Sequence, residues 1–196
     1  TQSKLLSKSL LKAKQKNILT REPGGTNFSE KIRKLLVNVN NDNLSSDTEL
    51  LLIYAARNEH LRNKVIPALN KQIVICDRYI HSTYSYQIES ENLKKKIAFI
   101  HKNFAFNLMP DLTILLDIPP KEGIQRSLKI KKTETRFEQK KLKFHLNVRK
   151  KFLHVCKNNK KVLIIDASLS KKIVHTQIID YLNSKCFFIK KIPNLL

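Results

Sequence analysis

Four short apolar runs constrain this chain most: Asn17 to Thr20 (NILT), Ile73 to Cys76 (IVIC), Leu112 to Leu116 (LTILL) and Val162 to Ile165 (VLII). Each is rich in β-branched residues or Leu and lacks polar alternation, the pattern of parallel strands buried on both faces. Stretches of helical period separate them, at about 29–37, 47–70, 91–108, 121–131, 137–157 and 171–183. This alternation folds as an α/β sandwich on a parallel sheet. Ligands of such sheets sit in loops at the carboxyl ends of the strands, so function is sought there. At the start of the sequence Leu5, Leu6, Leu10 and Leu11 fall roughly on one helical face.

The 196 residues suit a single domain, and no repeat or low-complexity linker divides them. No apolar run approaches the ~20 residues of a membrane span. The opening residues lack the charged flank and apolar core of a signal peptide, so none is expected. Cys76, Cys156 and Cys186 are widely spaced, odd in number and form no CxxC pair. A reducing, cytoplasmic setting and no cysteine metal site are expected. The net charge of +22 favours an anionic ligand. A nucleic-acid binder is the sharper reading of that charge. However, the excess is mostly Lys spread along the chain, without interleaved aromatic stacking platforms, so nucleic acid is not the expected partner.

Two loops carry chemistry. The first run ends in TREPGGT, Thr20 to Thr26, which holds two of the three glycines in the chain. Pro23 removes a donor, and Gly24 and Gly25 open conformations closed to other residues, so backbone can approach a ligand closely. The second run ends in CDRYIHSTYSYQ, Cys76 to Gln87. Asp77 stands at a strand tip, where nucleotide-dependent enzymes keep a carboxylate near Mg²⁺. Arg78 offers a planar fork for phosphate. Ser82, Thr83, Tyr86 and Gln87 recur at helical spacing toward the same place. A reverse turn at Gly24–Gly25, a helix-capping ion pair at Asp77–Arg78 and an N-cap at Ser82 or Thr83 are the plain structural alternatives.

TREPGGTNFSEKIR, LLIYAARNEHLRNKVIPAL, IVICDRYIHSTYSYQ, MPDLTILLDIPPKEGIQR and RFEQKKLKFHLNVRKKF follow one another in this order. In order and spacing they resemble the bacterial thymidylate kinases, and IIDAS, Ile164 to Ser168, fits that family's late adenine-side loop. The resemblance runs from Thr1 to about Leu182. It implies a P-loop kinase-type, three-layer α/β/α sandwich with a five-stranded parallel sheet, usually a homodimer. It implies transfer of the γ-phosphoryl of ATP to dTMP with Mg²⁺, giving dTDP and ADP. By similarity Arg21, Arg33 and Arg78 would hold the dTMP phosphate, with Glu22 near sugar and phosphate. Arg57 would bond the thymine edge beside Ser82, Thr83 and Gln87. Tyr86 would pack on the deoxyribose, and Asp77 would serve the metal, through water, and the reacting phosphates. Arg126 and Arg136 would frame a lid at about 127–137 and, with Asp166, Ala167 and Ser168, the ATP side.

Three departures from the family pattern qualify these expectations. Ile53 stands where the family places a Phe stacked on the base, which removes a flat aromatic contact worth roughly 0.5–1.5 kcal/mol and predicts weaker dTMP binding. In the lid the family's Arg is replaced by SLKIKKTET, leaving Lys131 and Lys132 as its cationic candidates, point charges without a fork. Finally, no G-x-x-x-x-G-K-[ST] loop occurs. Thr1–Gln2 matches the residues that directly follow that loop, so the sequence is expected to begin just past it, with the preceding strand also outside. As written, the chain is expected to lack kinase activity. Alternatives are a non-catalytic nucleotide- or nucleic-acid-binding relative and a deoxynucleoside kinase, although an Arg cluster suits a substrate that already carries phosphate. The tail 184–196 has no functional reading.

Overall fold

The computed structural model describes residues 1–38, 44–88, 90–129, 136–137, 140–185, 187–188 and 190–196. Strands form where the apolar runs predict them: β1 Asn17–Arg21, β2 Ile73–Asp77, β3 Thr113–Asp117 and β4 Val162–Asp166. Between them lie α1 Gln2–Lys12, α2 Asn27–Val37, α3 Ser46–His60, α4 Ile66–Leu69, α5 Ile80–Gln87, α6 Glu91–Phe104, α7 Pro120–Leu128, α8 Leu142–Cys156 and α9 Lys171–Ser184. Side-chain caps fix several helix starts. Thr26, Ser45, Ser90 and Ser170 each accept from a backbone N–H three residues on.

The helix expected over 47–70 is interrupted. After α3 the chain makes a π-helical turn, Leu61–Val65, closed by Ile66 N–H donating to Leu61 O. Pro67 has no N–H for the ladder at the start of α4, so the regular α pattern gives way there. Helix α6 stops at Phe104 rather than 108, because Phe106 and Asn107 both take left-handed φ values.

Among the described residues the strands form two parallel pairs, β1–β2 and β3–β4, with no hydrogen-bonded ladder between β2 and β3. Side chains join the pairs instead. Ile73 and Ile75 of β2, Ile114 of β3 and Leu163 and Ile165 of β4 pack into one core with Leu10 of α1 and Val174, Ile178 and Ile179 of α9. A second core lies beneath α3 and α6, and a smaller one between α2 and α3. The alternation of strand and helix, and with it the α/β layering, is as the sequence predicts. Among the described residues no helix is long and apolar enough to cross a membrane.

The tail is part of the first core. Ile192 is buried with Leu10 and Leu182. Asn183 clips it on both sides, donating to Ile192 O at 3.0 Å and accepting from Ile192 N at 2.8 Å.

Candidate active site

Register places Arg21 opposite Asp77 at the carboxyl ends of β1 and β2. The TREPGGT turn leaves from one and Arg78 from the other, so the two loops singled out in the sequence are neighbours. Within the turn, Gly24 and Gly25 have φ of 134° and 88°, conformations that favour glycine. Arg21 makes a two-pronged contact with Glu30 of α2, at 3.2 Å from Nε and 2.8 Å from Nη2. Hydrogen bonding from Arg21 holds the Glu30 carboxyl below its usual range. Gly25 N–H also donates to Glu30, at 2.9 Å. Arg33, one helical turn further along α2, donates to Pro23 O at 3.0 Å. Arg78 has φ of 70°; a non-glycine residue in that region marks a locally constrained site. Its guanidinium lies 4.6 Å from the Tyr86 ring centre.

Arg57 is the centre of the buried part. It is 2% exposed, and its Nε donates to Glu22 Oε2 at 2.7 Å. Nη2 donates to Thr83 Oγ1 at 3.0 Å. The guanidinium lies over two rings, 4.7 Å from the centre of Tyr54 and 4.9 Å from that of Tyr79, within favourable cation–π range of both. Burial is the largest single influence and would lower its pKa, but the Glu22 charge and hydrogen bond together with Tyr54 and Tyr79 raise it on balance. Burial pushes the Tyr54 hydroxyl up to about 12, so both ring partners stay neutral. Nη1 is buried and has no partner. A buried donor left unpaired costs roughly 1–3 kcal/mol, so an unused N–H in a fully built site points to a ligand acceptor.

Gln87 and Tyr86 complete this side. Gln87 donates to Glu49 at 3.4 Å. Tyr86 is enclosed edge-on by Phe137, Phe144 and Phe152, at 5.5–6.1 Å between ring centres. Ser82 is half-buried on the same helix. Ile53 packs with Ile32, Leu36 and Ala56 between α2 and α3. Asp77 is exposed at the tip of β2.

A second group forms at β4. Asp166 accepts from Ser168 N at 2.8 Å and Ser168 Oγ at 2.6 Å, and these bonds lower its pKa. Arg126 donates to Ala167 O and to Ser168 O, at 2.6 and 2.8 Å. The four residues the sequence assigns there therefore meet. Arg136 does not join them. It is buried against α2 and α3, donating to Leu36 O at 2.9 Å and pairing with Glu49. Lys131 and Lys132 lie outside the described residues.

Sequence reasoning passed over several contributors. Glu49 links Arg136 to Gln87, and Arg149 grips Asp117 with two 2.7 Å bonds. His60 and Lys64, on the helical segment that follows Arg57, reach the glycine turn. The only signal for them was their three- and four-residue spacing along that helix face.

Strand-end loops that present guanidinium groups and close-approach glycines define an α/β protein of the nucleotide-binding class. The family model described as thymidylate kinase matches residues 1–178. A thymidylate kinase of Onion yellows phytoplasma (strain OY-M) is 42% identical over 172 residues, 86% of this chain and 83% of that protein. One from Aster yellows witches'-broom phytoplasma (strain AYWB) is 41% identical, over 84% of this chain and 82% of its own. One from Acinetobacter baumannii (strain AYE) is 40% identical, over 84% of each. The chain belongs to the thymidylate kinase family, whose fold is that of the P-loop kinases.

Proposed function

We propose that the chain is a dTMP kinase that transfers the γ-phosphoryl of ATP to dTMP, as one nucleoside-monophosphate-kinase-like domain over 1–196. The observation that carries this is the buried, unpartnered Nη1 of Arg57 beside Thr83 and Gln87. It supports a base-edge donor placed next to loops suited to phosphate. In this reading Glu22 fixes Arg57, and Arg21, Arg33 and Arg78 receive the dTMP phosphate. Tyr86 bounds the sugar and Ile53 covers the base. On the donor side Arg126, Asp166, Ala167 and Ser168 face ATP, Lys131 and Lys132 close the lid of about 127–137, and Arg136 secures its far end. Positioning and positive charge supply most of such catalysis.

Among the described residues no three His, Cys, Asp or Glu side chains group to hold a metal ion. Mg²⁺ commonly takes one or two carboxylates and completes its shell with substrate phosphates and water. Asp77 would hold it, through water, and the ion would neutralise charge on the phosphates. Exposed Phe28 and Leu35 on α2, Leu51 on α3 and Phe99 on α6 support a homodimer. The cysteine pattern supports a cytoplasmic setting.

Calorimetry with dTMP tests the reading. The chain is expected to bind dTMP, and Arg57→Lys, which keeps the charge but loses the fork, is expected to weaken binding about tenfold or more (about 1.4 kcal/mol). Equal binding by the variant would refute the assignment. Steep salt-dependent DNA binding without preference for dTMP would favour the non-catalytic alternative.

A further inference from the structure

His60 lies three residues past Arg57 and has no part in the chemistry described so far. Its ring is fully buried. Nδ1 lies 3.0 Å from Glu22 Oε1 and Nε2 lies 2.7 Å from Thr20 Oγ1. A carboxylate only accepts, so Nδ1 carries the proton in this contact. The other carboxylate oxygen, Oε2, takes Arg57 Nε.

Arginine and carboxylate commonly pair through two parallel N–H bonds. Here Glu22 meets Arg57 through Nε alone, while its other oxygen takes His60. Arg57 Nη2 donates to Thr83 instead, and Nη1 is left without a partner. The same ring is the floor of the glycine turn. A Cβ on Gly25 would stand 2.5 Å from His60 Cδ2 and Nε2. Lys64 holds the turn as well, donating to Gly25 O at 2.9 Å. One helical segment thus fixes both the turn and the residue beside it.

We infer that His60 is the positioning residue of the acceptor site: by holding Glu22 to a single bond with Arg57 it orients the guanidinium toward the ligand. The inference rests on the dTMP-binding reading of Arg57. Without the His60 donor, Glu22 would take Nε and Nη2 together, Nη2 would leave Thr83, and Nη1 would turn away from its ligand direction.

Two variants separate the ring's two bonds. In His60→Asn the amide nitrogen takes the place of Nδ1, keeping the bond to Glu22 and losing the one to Thr20. In His60→Gln the amide reaches the place of Nε2, keeping Thr20 and losing Glu22. Calorimetry with dTMP on the full chain is expected to show the Asn variant within about threefold of wild type. The Gln variant should be weaker by roughly tenfold or more, the scale of a hydrogen bond to a charged group. Equal losses in both variants, or losses in thermal stability with dTMP affinity unchanged, would overturn the inference. Nitrogen NMR of the wild-type ring is an independent arm: Nδ1 must carry the proton, and an Nε2–H tautomer with bare Nδ1 overturns the inference whether or not the variants fold. Failure of wild type to bind dTMP would overturn the proposed function instead, and this inference with it.

Discussion

A methyl group at Gly25 would meet His60 and the Thr20 hydroxyl at 2.5–2.6 Å. Neither neighbour can yield cheaply, since the ring is pinned by hydrogen bonds at both nitrogens. The φ of 88° adds backbone strain for any residue with a Cβ. Gly25→Ala is therefore expected to cost about 1–3 kcal/mol in urea unfolding and to weaken dTMP binding. Unchanged stability would mean that the turn relaxes. The importance of this glycine was legible in the sequence, because two of three glycines fall in one turn behind Arg-Glu. The reason for it was not. His60 on a helix reads equally as core or surface, and its partners lie 38 and 40 residues away. Arg136 was read as framing a lid and the ATP side, and its destination against α2 and α3 was not legible, since Glu49 is 87 residues distant.

Among the elements, the tail departs furthest from its sequence. SKCFFIKKIPNLL has no period that marks a face, yet Ile192 enters the core formed by α1, α9 and the strands. What brings it there is one side chain, Asn183, bonding both backbone groups of Ile192. Such a clip has no sequence periodicity. Ile192→Ala is expected to destabilise the fold by about 2–5 kcal/mol, read by denaturant unfolding, and to leave dTMP affinity unaltered, because α9 lies away from Arg57. A loss of affinity at full stability would show that the tail reaches the site. Strand positions were legible to within a residue because buried parallel strands have the plainest signature. The π turn was not, since the helical period runs unbroken over 47–70 and only the structure shows the interruption next to Pro67.

At the scale of the whole molecule, three of the four histidines buried among the described residues lose affinity for a proton on folding. Burial lowers the pKa of His81, His101 and His175 below the ordinary 6.5. His175 Nε2 bonds Ser9 at 3.1 Å and its Nδ1 has no partner, so an added proton finds no acceptor. His101 Nδ1 is likewise buried without a partner. The unfolded chain takes up these protons at higher pH than the folded one. Stability is thus complete above 6.5 and falls as pH drops from there through the lowered folded values. Denaturant unfolding above pH 6.5 and about one unit below it should show that fall, and His175→Gln, which does not titrate, should show a smaller one. An identical fall in the variant would remove His175 from the account.

The division of the strands into two pairs has a consequence for the protein in the tube. Among the described residues two pairs leave four edges, where one continuous sheet has two, and every unpaired edge is a template for another chain's backbone. The +22 charge then works against clumping, because copies that would add strand to strand first repel one another. Salt screens that repulsion within about 10 Å at 0.1 M. The Lys excess beyond Lys64 of the glycine turn becomes a colloidal safeguard, effective in dilute buffer and lost in brine.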